Sequence, residues 1–139
     1  MRTVDQAKLV PAIAARLNDS LPAGVRVDAV GTTLTTYGTD GVYAWYEPND
    51  LLPGERDGDY AEYIRDPWPW IKRWICSVLD GIQDDVAHAT RGMAWPPSST
   101  SKPLPLEWAE VRGQELHLGY GDTSLAPIPI AEIMTQSGV

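Results

Sequence analysis

The most strongly patterned segment of the chain spans residues 70–91 and reads WIKRWICSVLDGIQDDVAHATR. Its large apolar side chains recur every three or four residues, which is the spacing of one helical face. They are Ile71, Trp74, Ile75, Val78, Leu79, Ile82 and Val86. Arg91 and Gly92 supply the basic last turn and the glycine that are typical of a helix end. We therefore predict one long helix that organises the core, with Gly81 permitting close approach to a sheet.

Shorter elements are predicted on both sides of this helix. Thr3 and Gln6 have the spacing of a capping box, which predicts a first helix that is kinked or started at Pro11. Residues 25–29, 32–37 and 42–46 have strand patterns and predict a three-strand meander. Further on, residues 108–111 and 115–120 predict a second hairpin. The tail contains Pro127 and Pro129, so it suits an edge strand at best.

This order of elements predicts an α+β fold in two layers: an antiparallel sheet of about five strands with helices packed on one face. The 139 residues are expected to form a single domain, residues 1–139. Within it, residues 48–59 predict an acidic exposed loop and residues 92–106 a Pro/Ser-rich crossover. In size, charge and element order the chain resembles the small acidic chaperone-type domains that cradle secretion substrates, a resemblance of fold that covers most of the chain.

Composition excludes several classes of protein. A formal net charge of −8 argues against a nucleic-acid binder. The longest apolar run, residues 9–15, is too short for a membrane helix or a secretory signal, so we expect a cytoplasmic protein without a membrane partner. One cysteine, Cys76, rules out an internal disulfide and a multi-cysteine zinc site. No cofactor-binding or catalytic motif is present, so we expect no cofactor and no enzyme.

Acidic and aromatic residues coincide in one quarter of the chain. Residues 31–66 contain eight acidic and two basic residues, a net −6, and most of the Trp and Tyr residues lie between Tyr37 and Trp74. Trp and Tyr suit half-wet interfaces, and carboxylates steer cations. We therefore expect a binding protein of adaptor, chaperone-like or immunity type that engages a basic or aromatic-seeking protein partner. The predicted contact residues are Tyr43, Trp45, Tyr46, Tyr60, Tyr63 and Trp68, with Asp57, Asp59, Glu62 and Asp66 as an acidic rim.

Two alternatives stay open at this stage. Asp84 and His88 lie one helical turn apart, where they can share a divalent metal or act as an oriented general base in a metal-assisted hydrolase. The aromatic surface or a sheet edge can instead join copies of the chain as a homodimer or larger homo-oligomer. A solvated helix face explains Asp84 and His88 more simply, so no residue is assigned as catalytic or as a metal ligand.

Overall fold

A computed structural model describes residues 2–48, 51–90, 92, 95–96 and 106–136. The elements follow one another in chain order and confirm the α+β class. They are β1 (Arg2–Val4), α1 (Gln6–Asn18), β2 (Arg26–Val30), β3 (Thr33–Gly38), β4 (Gly41–Tyr46), α2 (Tyr60–Arg65), α3 (Trp68–Ala89), β5 (Glu107–Arg112), β6 (Glu115–Tyr120), β7 (Thr123–Ser124), β8 (Ile128–Pro129), α4 (Ile130–Ile133) and β9 (Met134–Gln136).

The strands do not form the single five-stranded sheet expected from the sequence. In the described residues, β2, β3 and β4 form an antiparallel meander, and β5 and β6 form the hairpin of a second sheet. Strands β7 and β8 both pair with the other side of β6. A two-stranded ribbon, β1 with β9, joins the two ends of the described chain. Side-chain alternation predicts each hairpin but contains no information on which hairpins share a sheet.

The long helix α3 lies against strands of both larger sheets. It contacts β3 and β4 of the first sheet and β5 of the second. All seven of its predicted apolar positions are buried, as the helical spacing required. Two prolines at its start are tolerated because Pro67 is the N-cap and Pro69 lies in the first turn, where a missing N–H breaks no helical bond. The helix therefore begins at Trp68, two residues earlier than predicted.

Tyr46 and Gly81 bring β4 close to α3. A β-carbon added at Gly81 would lie 2.5 Å from Tyr46 Oη, so only glycine leaves room for the ring. The Tyr46 hydroxyl donates a 2.6 Å hydrogen bond to Oδ2 of Asp85, a buried carboxylate one turn further along the helix. Gly81 thus has the close-approach role predicted from the sequence.

A second tyrosine joins the other sheet to the same helix. The Tyr120 hydroxyl donates a 2.6 Å hydrogen bond to the carbonyl oxygen of Leu79. Tyr120, Leu116 and Leu118 are all buried, which confirms the predicted inward face of β6. The Trp95 ring lies edge-on to the Tyr120 ring with centroids 5.0 Å apart, so one residue of the predicted 92–106 crossover belongs to the core. Most of that crossover lies outside the described residues.

The first helix starts differently from the prediction. Asp5, not Thr3, is its N-cap, and Asp5 Oδ1 accepts a 2.9 Å hydrogen bond from the Ala7 backbone. Thr3 instead pairs with Thr135 in the β1–β9 ribbon. Helix α1 continues from Gln6 to Asn18 with Pro11 inside it. The ribbon was missed because strands of three residues are too short to show alternation.

The close contact between Gly81 and Tyr46 predicts that Gly81→Ala destabilises the wild-type protein but stabilises a variant without the Tyr46 ring. We expect Gly81→Ala to lower the free energy of unfolding by roughly 1–2 kcal/mol, because the clash with Tyr46 outweighs the gain of about 1 kcal/mol in helix propensity. In a Tyr46→Leu background, where the distal ring atoms are absent, Gly81→Ala should stabilise the protein. Urea unfolding followed by circular dichroism measures both, and a stabilising Gly81→Ala in wild type would contradict the close approach.

Candidate functional site

A concavity lies beside the start of α1. It is a cleft of 640 Å³ between the β1–β9 ribbon, the β2–β3 turn, the loop before α2, and α2 itself. We call it the tyrosine cleft. Its lining consists of residues 3–7, Thr32, residues 53–55, Tyr60, Tyr63, Ile64, Pro67 and Thr135. Its volume falls within the range of small-ligand and peptide-side-chain sites.

The charged groups of the tyrosine cleft have one sign. Among the described residues that line it, Asp5 and Glu55 are acidic and none is Lys or Arg. Glu55 is exposed, whereas Asp5 is half-buried and its Oδ1 already caps helix α1. That carboxylate satisfies the helix N-terminus, which would otherwise attract an anion. The electrostatics of the cleft therefore favour a cation.

Two tyrosines from α2 form the aromatic part of the cleft. Tyr63 is buried, and its ring meets the Trp70 ring edge-on with centroids 6.0 Å apart. Burial raises the pKa of the Tyr63 hydroxyl, although a hydrogen bond from the Gln6 side chain opposes the shift. Tyr60 is half-buried, with its ring centroid 6.4 Å from that of Tyr63. Tyr63 thus fixes the wall, and Tyr60 is the ring with accessible surface.

The loop that borders the cleft is held by local contacts. Asp57 Oδ2 accepts a 2.7 Å hydrogen bond from the Gly54 backbone, which closes a turn ahead of α2. Leu52 is buried, so this part of the predicted 48–59 loop is anchored in the core, while residues 54–59 are exposed. Asp57, predicted as part of an acidic rim, therefore holds the loop in shape through one of its carboxylate oxygens.

The other three rim residues lie in a second concavity. Asp59, Glu62 and Asp66 line a 450 Å³ depression together with Arg65, Pro69, Trp70 and Arg73. Two arginines share this depression with three carboxylates, so its charge is mixed. The predicted acidic rim is thus divided between the turn before the tyrosine cleft and this mixed depression, with only α2 between them.

The predicted aromatic residues are also divided. Tyr46 faces α3, and its hydroxyl is hydrogen-bonded to Asp85. Trp68 is half-buried and packs against the core. Neither residue lines the tyrosine cleft. Nearness in the chain grouped them with Tyr60 and Tyr63, but Tyr46 ends β4 and Trp68 begins α3, whereas Tyr60 and Tyr63 belong to α2.

A β-bulge separates Tyr43 from Trp45. Thr36 pairs with Ala44, whereas the next residue, Tyr37, pairs with Val42, so Tyr43 is an extra residue in β4. The Tyr43 ring occupies the space where a side chain on Gly38 would lie. Trp45 is exposed on the outer side of the sheet. Strict alternation along β4 would place Tyr43 and Trp45 on one face, but the bulge shifts the alternation by one residue and separates them.

The structure gives little support to a catalytic or metal site at Asp84 and His88, or to a reactive Cys76. The His88 ring donates from Nδ1 to the Asp84 backbone carbonyl at 2.8 Å, so the carboxylate does not orient the imidazole. The described residues contain no group of three or more His, Cys, Asp or Glu side chains placed to hold a metal ion. Cys76 is half-buried, and burial followed by the charge of Glu107 raises the pKa of its thiol, which disfavours the reactive thiolate.

Asp5 and Glu55 are the residues of the cleft that the sequence did not single out. The signal for Asp5 was its place before the apolar helix stripe, where aspartate is a favoured N-cap. Glu55 carried no signal beyond membership of the acidic loop. Residues 5 and 55 line the same cleft although they are fifty residues apart in the chain.

Comparisons with protein-family models, with curated proteins and with solved structures find no match for this chain. Among the described helices, none has the length and apolar character needed to cross a membrane.

Tyr120, which is buried, and Tyr46, which is half-buried, predict a loss of stability at alkaline pH. Desolvation, aided by the charge of Asp85 for Tyr46 and of Glu107 for Tyr120, raises the pKa of both hydroxyls above the usual value near 10. Above that pH the unfolded chain loses these protons while the folded protein keeps them. The free energy of unfolding should therefore fall as pH rises, by up to about 1.4 kcal/mol per pH unit for each tyrosine.

Urea titrations at pH 8, 9.5, 10.5 and 11 measure this slope. Tyr120→Phe removes one ionising group from the unfolded chain and should make the slope shallower. Tyr46→Phe should do the same and should also destabilise the protein at pH 7 by roughly 1.5–3 kcal/mol, because Asp85 loses its donor. An unchanged slope in both variants would contradict the assignment.

Proposed function

We propose that this protein is a non-enzymatic binding module, of adaptor, chaperone-like or immunity type, that holds a basic segment of a partner protein in the tyrosine cleft. The observation that carries the proposal is the composition of that cleft, whose lining has two acidic side chains, no basic side chain and an accessible tyrosine ring. The sequence grouped ten residues into one patch, and the proposal retains Tyr60 and Tyr63 from that group. It adds Asp5 and Glu55.

The charge distribution favours a cationic segment over other occupants. The cleft lining carries two carboxylates, and the exposed turn beside it adds one acidic residue, Asp57, and one basic residue, Arg56. The whole chain has a net charge of −8, so a basic partner is attracted at long range as well as at the site. An acidic segment would meet repulsion at both distances.

The aromatic surface of Tyr60 suits the side chains of such a segment. An arginine or lysine placed over a tyrosine face gains about 0.5–2 kcal/mol, depending on how far it is desolvated. The apolar lining, which includes Pro53, Ile64 and Pro67, can cover the aliphatic part of the same side chain. Tyr63, already packed on Trp70, holds this surface in place before binding.

Peptide binding tests the proposal directly. A fluorescein-labelled octapeptide of alternating Arg and Gly should bind the protein, and the matching Glu–Gly peptide should not, as measured by fluorescence anisotropy at 50 and 150 mM NaCl. We expect Glu55→Lys to raise the Kd about 10-fold or more, since it removes an attraction and adds a repulsion. Tyr60→Ala should raise it about 3- to 30-fold through the lost cation–π contact.

Asp40→Lys is the matched control. It makes the same change of charge at an equally exposed site, but in the β3–β4 turn. That turn and Thr32 lie at opposite ends of β3, whose six residues span roughly 20 Å. The control should change the Kd less than 3-fold at 150 mM NaCl, where screening limits distant charges. If Asp40→Lys weakened binding as much as Glu55→Lys, the attraction would be general and not a property of the cleft.

A further inference from the structure

Three threonines from separate parts of the chain line the tyrosine cleft. Thr3 belongs to β1, Thr135 belongs to β9, and Thr32 lies in the turn between β2 and β3. All three are half-buried, and no hydrogen bond within the described part of the chain involves their hydroxyl groups. A hydroxyl group has two lone pairs as well as one donor, so each threonine offers the cleft a free hydrogen-bond acceptor.

Two of these threonines stand side by side, with a carboxylate next to them. Thr3 pairs directly with Thr135 across the β1–β9 ribbon, so their side chains lie on one face of it with β-carbons about 5 Å apart. Asp5 follows two residues after Thr3 in extended backbone, which directs its side chain to the same side. The Ala7 backbone occupies Oδ1 of Asp5, and no hydrogen bond among the described residues involves Oδ2.

The described lining of the cleft has few donors to match these acceptors. It contains no Lys or Arg, and the Gln6 side chain is hydrogen-bonded to the Tyr63 hydroxyl. At the start of α1, the backbone N–H groups of Ala7 and Lys8 are already bonded to Asp5. The cleft therefore suits a ligand group that is positively charged and only donates hydrogen bonds.

We propose that the tyrosine cleft selects arginine over lysine, by binding one guanidinium group of the partner segment to the Tyr60 ring, the Asp5 carboxylate and the hydroxyls of Thr3 and Thr135. The inference rests on the proposed function, because it names the side chain through which the basic segment is bound. It makes the two threonines specificity-determining residues, whereas Asp5 and Glu55 supply an attraction that any cation shares.

Guanidinium and ammonium groups differ in the properties that this cleft uses. A guanidinium group has five N–H donors in one plane, so separate donors can reach several fixed acceptors at once, whereas an ammonium group has three donors on a single nitrogen. The guanidinium plane also stacks on an aromatic face such as that of Tyr60. Because it is more weakly hydrated than an ammonium group, its transfer from water into a half-enclosed cleft costs less.

Three fluorescein-labelled octapeptides, in which Arg, Lys or citrulline alternates with Gly, test the selectivity with the full chain. Fluorescence anisotropy at 150 mM NaCl measures each Kd. The Arg peptide should bind with a Kd about 5-fold or more below that of the Lys peptide. Citrulline keeps the planar shape but has no charge, so its peptide should bind about 10-fold or more weakly than the Arg peptide.

The outcomes separate this inference from the function on which it rests. Equal affinity for the Arg and Lys peptides, with both weakened by Glu55→Lys, would overturn the selection of arginine and leave the binding of a basic segment standing. Absence of binding by both cationic peptides would overturn the proposed function and this inference together. A citrulline peptide that bound as tightly as the Arg peptide would overturn the role of charge in the cleft.

Thr3→Val and Thr135→Val test the two hydroxyls, because valine keeps the branched side chain that suits a strand and removes only the oxygen. Each should raise the Kd of the Arg peptide about 3- to 10-fold and change that of the Lys peptide less than about 2-fold. The ratio of the two dissociation constants should therefore fall towards one. Both variants should keep the wild-type circular dichroism spectrum and unfolding midpoint.

Thr35→Val is the matched control, since Thr35 is also a half-buried strand threonine but does not line the cleft. It should leave both dissociation constants within about 2-fold of wild type. A preference for the Arg peptide that persists unchanged in Thr3→Val and in Thr135→Val would overturn the proposal. A preference that Thr35→Val reduces as much as they do would overturn it as well, because the effect would then not belong to the cleft.

Discussion

The close contact between β4 and α3 is the constraint on which the rest of the structure depends. Gly81 lets the Tyr46 ring reach the helix, and the Tyr46 hydroxyl then gives the buried carboxylate of Asp85 a hydrogen-bond donor. A buried carboxylate without such a partner is costly, so the tyrosine and the aspartate require each other. On the same helix, the Leu79 carbonyl accepts a hydrogen bond from the Tyr120 hydroxyl. Two sheets are thereby held to one helix by hydroxyl groups at the ends of aromatic rings.

The contact between β4 and α3 determines which side chains of the β2–β3–β4 meander are exposed to solvent. Because Leu34, Thr36 and Tyr46 face α3, the alternate residues of β3 and β4 point to the opposite side of the sheet. The extra residue at Tyr43 places Val42 and Trp45 together on that opposite side. The tyrosine cleft, in contrast, lies beyond the end of the sheet, where short segments meet.

The candidate site was predictable only in part. Tyr60 and Tyr63 were found from composition, because aromatic and acidic residues coincide around α2. Their neighbours Asp5 and Glu55 were not, since nothing local relates a helix N-cap to a glutamate fifty residues later. The opposite error occurred at Tyr43 and Trp45, where strict alternation failed at a bulge. Grouping residues by their nearness in the chain therefore placed Tyr43 and Trp45 in one surface, which the fold does not do. It also missed Asp5 and Glu55, which line one cleft in the structure.

The repeating patterns of the chain were sufficient for α3, the two hairpins and the role of Gly81, because helical and strand periods depend on neighbouring residues alone. The α+β class followed from the order of those elements. The tertiary structure decided the division into separate sheets, the β1–β9 ribbon, the N-cap at Asp5 and the position of every site residue. These features arise from contacts between residues far apart in the chain, and no local period records them.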